Sequence, residues 1–346
     1  MPFSLYLLAL AVFAMGTSEF MLAGLLPAIS TDLGVPVGTA GLLTSAFAAG
    51  MVVGAPSMAV VARNWSPRLS LSGFVAVFLA AHVAGALTSN FTVLLASRVV
   101  AALANAGFLA VALTTASALV PPQRRGRALA VLLSGTTVAT IAGVPGGSLL
   151  GTAFGWRATF LAVAALCVPA AFGVLKGIPA RQDRIDPPAL RPELAELAKP
   201  KLALVIVLAV LVNAVTFGHF TFLAPVVTDV AGLSQWWVPV ALVLFGVGSF
   251  VGVMAGGRLA DSSPRPVVVL GGPVVLIGWW SLDLLGTNPV ALLLLVFVLG
   301  ALSFAVGSTV IARVLHHAAG APTMAGSYAT AALNVGAVIG PIVFSL

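Results

Sequence analysis

Blocks of about twenty or more apolar residues, interrupted by isolated charges, prolines and glycines, run almost the whole length of this chain. A block of that length crosses a hydrocarbon core of ~30 Å as a helix. Without water there, every backbone N–H and C=O must be paired inside the segment, which a helix achieves by itself. Composition agrees. The chain is 60% hydrophobic and 7% charged, whereas a soluble domain carries roughly 25% charged residues. So few charges cannot cover a water-facing surface. The 36 glycines and 22 prolines suit membrane helices, where close approach and kinks are tolerated.

The single cysteine, Cys167, lies in an apolar run, so a disulfide framework or cysteine metal site is excluded. The net charge of +7 follows the connections between apolar blocks instead of forming one basic face, which argues against a nucleic-acid partner.

The interruptions predict eleven helices, over 3–28, 37–62, 69–88, 91–119, 127–152, 157–177, 202–228, 236–257, 266–285, 289–314 and 323–346. The expected organisation is a six-helix bundle over 1–177, a polar linker over 178–200 and a second bundle over 201–346 with five helices present. With the N-terminus in the cytoplasm, every basic residue except Arg98 and Arg157 falls on or beside the cytoplasmic connections. The positive-inside rule therefore fixes that orientation and a multi-pass place in the plasma membrane.

A weak internal repeat relates the two parts. The second helix reads Gly54-Ala55-Pro56 and ends in Arg63 to Arg68; its counterpart reads Gly252-Val253-Met254 and ends in Asp261 to Arg265. Two six-helix units in parallel repeat, with a substrate site between them near mid-membrane, is a transporter plan. On that plan a twelfth helix is missing, because the sequence stops in mid-pattern at Gly340 to Leu346. The expectation is a shortened or divergent end of the same fold.

Two charges stand out well inside predicted spans, Glu19 and Arg98. Buried charges of this kind face a cavity or a partner. Glu19 lies ~12 Å and Arg98 ~10 Å from the outer ends of their helices, so they share a depth and can pair directly or through water. Burial drives a carboxylate towards its neutral form and a nearby guanidinium drives it back. Such a group can carry a coupled proton, or it can be half of a static ion pair.

In the fifth span, Gly135, Gly143, Pro145 and Gly147 let a neighbouring helix approach closely and interrupt one helical hydrogen bond. This is either a hinge or seal, or close packing alone. After the eighth span, Arg258, Asp261 and Arg265 set an acid beside bases at helix ends. They form either a cytoplasmic gate or a solvated loop. Asn105 and Asn213, with Phe20, Phe108, Phe217 and Phe220 at similar depth, can wall a site for a small amphipathic ligand, although each alone is also explained by packing. No phosphate-binding loop, metal-ligand spacing or nucleophile–base pair is visible. No cofactor, metal or enzymatic chemistry is expected.

Gly16 to Gly24, Gly41 to Phe47, Ala102 to Phe108 and Ala321 to Tyr328 resemble the drug:proton antiporter branch of the major facilitator superfamily, especially its actinobacterial chloramphenicol-resistance exporters. That resemblance implies an all-α fold of two six-helix bundles and proton-coupled export of a small hydrophobic drug such as chloramphenicol by a monomer. It places Arg98 at the family's fourth-helix arginine, linked to proton transfer. It makes Gly143 to Gly147 the antiporter motif and Arg258, Asp261 and Arg265 the cytoplasmic gate. Glu19 would take the coupled proton and line the substrate site. One departure is Arg63, which stands where the repeat puts Asp261, so closure in the first half must be weaker or differently built. Export of another small solute, such as a sugar or nucleoside, and a non-transporting sensor or assembly subunit remain alternatives.

Overall fold

The computed structural model describes residues 1–178, 189–223, 226–234, 236–262 and 264–344. Thirteen helices are present among them: α1 (Phe3–Phe20), α2 (Leu26–Leu33), α3 (Val37–Ala62), α4 (Pro67–Leu87), α5 (Phe91–Ala118), α6 (Arg125–Phe154), α7 (Trp156–Gly177), α8 (Leu190–Ala195), α9 (Pro200–Thr221), α10 (Trp237–Ser262), α11 (Pro264–Leu285), α12 (Pro289–His317) and α13 (Ala325–Phe344). Eight have the length and composition to cross a membrane, and Phe3–Glu19 and Pro266–Leu282 are shorter apolar helices. This is a multi-pass membrane protein.

Local chemistry sets the boundaries. Asn90 Oδ1 accepts from the amides of Thr92 and Val93 at 2.8 and 3.2 Å, and Asn288 does the same for Val290 and Ala291 at 3.0 and 3.2 Å. Both satisfy amides that a helix start leaves unpaired. The first span, expected as one helix over 3–28, instead breaks after Phe20 into a 3₁₀ turn, Met21–Gly24, and restarts as α2 with Pro27 in its first turn. A proline in a helix interior removes a hydrogen bond and clashes with the preceding turn, but it is accepted at a helix start. The seventh span, expected to reach 228, ends at Thr221.

Small residues decide which helices meet. A Cβ added at Gly252 or Gly256 of α10 would strike the backbone of Ala301 or Ala305 in α12. In lipid, such close backbone approach replaces the hydrophobic drive that joins helices in water. In the first six long helices, α1 packs on α6 and α7, α3 on α5, and α4 on α5 and α7. In the rest, α10 packs on α12, and α9 on α13 and α12. The two groups meet through α6 with α10, and through α13 with α3 and α5. Large apolar side chains such as Phe172, Leu211 and Ile277 face outwards, as a lipid-facing surface requires.

Candidate functional site

A central cavity opens between the two groups of helices. Its wall includes Glu19 from α1, Asn105 from α5, Thr136 from α6, Asn213 and Phe217 from α9, and Asn334 from α13. Glu19 is the one charged side chain on that wall among the described residues. Asn213 Nδ2 donates to the carbonyl of Leu333 at 2.6 Å, which ties α9 to α13 at the cavity edge. Three other candidates behave differently. Phe108 is fully buried in the core, Phe220 stacks against Phe245 with ring centroids 4.7 Å apart, and neither is part of the wall. The side chain of Phe20 lies outside the described positions.

Consecutive helical residues point about 100° apart, so Glu19 faces the cavity while Ser18 turns into the bundle. There Arg98 is fully enclosed, 1% exposed. Its guanidinium donates to Ser18 Oγ at 2.6 Å and to the Ser18 carbonyl at 3.0 Å, and lies 4.3 Å from the centre of the Phe47 ring. The direct Glu19–Arg98 pair left open by the sequence is therefore not formed. Arg98 gives its hydrogen bonds to the residue before Glu19 instead. Ser18 Oγ also meets Nε2 of His82, from α4, at 2.7 Å. Sequence reasoning overlooked this cluster. The available signal was His82, a titratable group inside a predicted span.

Gly135, Gly143 and Gly147 of α6 face α1 and the turn that follows it. A Cβ at Gly143 would come 3.3 Å from Thr17, one at Gly147 would come 2.9 Å from Met21 Cβ, and one at Gly135 would strike the Ala9 carbonyl. This stripe lets α6 lie directly on the helix that carries Glu19. The Pro145 side chain lies outside the described positions.

The face bearing the N-terminus and most basic residues holds two carboxylate caps. Asp261, at the end of α10, accepts from the amides of Gly126 and Arg127 at 2.7 and 3.2 Å, with the Arg127 side chain 3.8 Å away. It thus caps α6 of the other group. Arg258 is exposed, and the side chain of Arg265 is outside the described positions. At the start of α13 the cap comes from Glu193 of the short α8. Its carboxylate accepts from Thr323 Oγ1 at 2.6 Å and the Met324 amide at 3.1 Å, while Tyr328 Oη donates to its carbonyl at 2.8 Å. The helix that the missing acid at position 63 would have capped, by analogy with Asp261, is thus capped from the linker.

On the opposite face Asp32 accepts from Arg157 at 2.5 Å and from Trp156 Nε1 at 3.2 Å, and Arg157 also reaches the Thr88 carbonyl at 3.1 Å. The bond from Arg157 first, with the Trp156 bond adding to it, holds the Asp32 carboxyl below its ordinary range against the opposing effect of burial.

Comparison with known proteins agrees with this architecture. A chloramphenicol resistance protein of Streptomyces lividans is 68% identical over 99% of this chain and 88% of its own length. The inner membrane transport protein YdhP of Escherichia coli K12 is 31% identical over 98% and 87%. Among solved structures, the transporter FucP in its outward conformation superposes with a TM-score of 0.79 at 16% identity, covering 98% of this chain and 91% of that one. The proton:xylose symporter XylE gives 0.76 at 15% identity, covering 99% and 88%. At such identity these two speak for the fold alone. The family model of the Major Facilitator Superfamily matches residues 8–341, and the chain belongs to that family.

Proposed function

We propose that the chain is a proton-coupled antiporter that exports a small hydrophobic drug, chloramphenicol first, by alternating access. The observation that carries the reading is the cavity, in which Glu19 alone among the described residues bears charge, amid apolar, amide and hydroxyl groups. Chloramphenicol is neutral and amphipathic. Such a wall suits it through Asn105, Asn213 and Phe217, with few precisely placed polar groups in an apolar pocket. The 68% identity to a chloramphenicol resistance protein supports the same choice.

In this reading residues 1–177 and 201–346 rock about the cavity as a monomer in the plasma membrane, joined by the 178–200 linker. The N-terminus is cytoplasmic, which makes the basic face the inner one, consistent with the distribution of Arg and Lys. Open to the outside, Glu19 takes a proton and the drug leaves. Open to the cytoplasm, the proton leaves and drug enters. The shift between faces follows from differential binding of proton and drug to the two states. Asp261 on the start of α6 holds the inner face shut. Because the drug is neutral, each exchange moves net charge, so both ΔpH and membrane potential drive export.

The test is accumulation of radiolabelled chloramphenicol in cells expressing the chain or its Glu19→Gln variant, with and without protonophore. Low accumulation that rises with either treatment is the expected result. Accumulation equal to empty cells, with membrane expression verified, would sink this reading.

A further inference from the structure

We infer that His82 is a positioning residue of the proton-coupling site, acting through the hydroxyl of Ser18 on where Arg98 places its hydrogen bonds. This rests on the reading of Glu19 as the proton carrier.

Donor and acceptor chemistry fixes the direction of the chain of bonds. A guanidinium only donates, so Ser18 Oγ accepts from Arg98. The Phe78 carbonyl, 2.9 Å from His82 Nδ1, only accepts, so Nδ1 carries a hydrogen. A second hydrogen on Nε2 would make an imidazolium sharing one buried oxygen with a guanidinium, in a pocket otherwise walled by the rings of Phe78 and Phe160. Arg98 is the one charged group facing His82 from α1, α5 or α7 among the described residues. Nε2 is therefore bare and accepts the Ser18 hydroxyl hydrogen. The bonds run one way, from Arg98 to Ser18 to His82 to the Phe78 carbonyl, and bonds aligned in this way strengthen one another.

The consequence reaches Glu19. With its hydrogen drawn to His82, Ser18 Oγ presents only lone pairs to Arg98 and competes with the Glu19 carboxylate for it. Nε of Arg98 is buried and without a hydrogen-bond partner among the described residues, so the guanidinium retains a donor for that carboxylate. His82 thus sets how firmly Arg98 is parked on residue 18 while Glu19 exchanges its proton. Without an acceptor at position 82, the serine side chain rotates so that its hydroxyl bonds a carbonyl of its own helix, which carries Oγ off the line to Arg98, and Arg98 shifts towards Glu19 and slows its turnover.

The full chain in proteoliposomes, assayed for chloramphenicol transport under an imposed proton gradient, tests this. His82→Leu and His82→Asn should lower Vmax about fivefold, the worth of one buried hydrogen bond, with KM for the drug unchanged. His82→Gln, whose amide oxygen reaches the place of Nε2, should restore Vmax; a short asparagine should not. Ser18→Ala and Ser18→Ala/His82→Leu should be equally impaired, because His82 acts through that hydroxyl. In ¹⁵N-histidine spectra, with the signal assigned by its loss in His82→Gln, His82 should show the neutral Nδ1–H tautomer. Wild-type Vmax in His82→Leu, no recovery in His82→Gln, or an Nε2–H or doubly protonated ring would overturn the inference, while an inactive Glu19→Gln would leave the coupling reading intact. A Glu19→Gln chain that still runs on the proton gradient would overturn that reading and this inference with it.

Discussion

Asp261 Oδ1 lies 2.7 Å from the amide nitrogen of Gly126, so the last turn of α10 supplies the cap that α6 lacks at its own start. Gly126 permits the contact, since a Cβ there would lie 2.6 Å from the Gly257 carbonyl and 2.9 Å from the Asp261 carboxylate. A carboxylate at a helix start pairs orphan amides and meets the positive end of the helix dipole.

Asp261→Asn keeps an acceptor and loses the charge. Its expected effect is about 1 kcal/mol against the α6–α10 contact on the basic face, read as increased labelling of a cysteine placed behind that contact. Gly126→Val should open the same face further by steric displacement. Unchanged labelling in both variants would show that this contact does not hold the face shut.

Arg98→Lys keeps the charge but not the fork. One ammonium cannot reproduce the two donors, from separate nitrogens, that grip Ser18 Oγ and the Ser18 carbonyl. Transport under a proton gradient should fall about tenfold, equivalent to ~1.4 kcal/mol, although the net charge is unchanged. Wild-type rates in this variant would reduce Arg98 to a point charge.

Asp32 gives a pH signature away from the cavity. Its folded carboxyl is held below the ordinary value of 3.8, mainly by Arg157. The stability it contributes is present above that value and is lost as pH falls through the lower folded one. The pair is well exposed, so Asp32→Asn should lower Tm by only about 1–2 °C at pH 7. That difference should shrink below about pH 4 as the wild-type carboxylate is itself protonated. A difference that grows on acidification would contradict the assignment.

Glu193→Ala removes the cap of α13, and Tyr328 can still bond the backbone carbonyl of residue 193. Loss of a helix cap costs about 1–2 kcal/mol, expected as a lower unfolding temperature in detergent. Transport per folded molecule should be little changed. A large loss of transport at unchanged stability would point instead to a direct part in the transport cycle.

The spans were legible because single prolines, charges and turn formers punctuate an apolar sequence, and α3, over 37–62, begins and ends where the pattern says. The break after Phe20 was less visible because Met21 to Leu26 is itself apolar, and only Pro27 marks the restart. Glu19 and Arg98 stood out as charges in apolar surroundings, and Asn213 and Asn105 lie on the cavity wall. Phe108 did not, because depth along a helix says nothing of which face a residue occupies. Ser18 lies 80 sequence positions from Arg98 and 64 from His82, yet the three meet through packing of α1, α4 and α5. Glu193 sat in a stretch read as polar linker, and its role depends on a turn of helix docking under α13.

The two caps on the basic face are not equivalent. Asp261 reaches across to α6, so separating these helices must break it. Glu193 belongs to the segment leading into α9, which packs on α13, and can travel with them unbroken. Of these two caps, opening this face unfastens the one made by Asp261, at about 1–2 kcal/mol. A proton crossing a gradient of a single pH unit releases about 1.4 kcal/mol. The Asp261 cap is thus a latch light enough for a modest gradient to release.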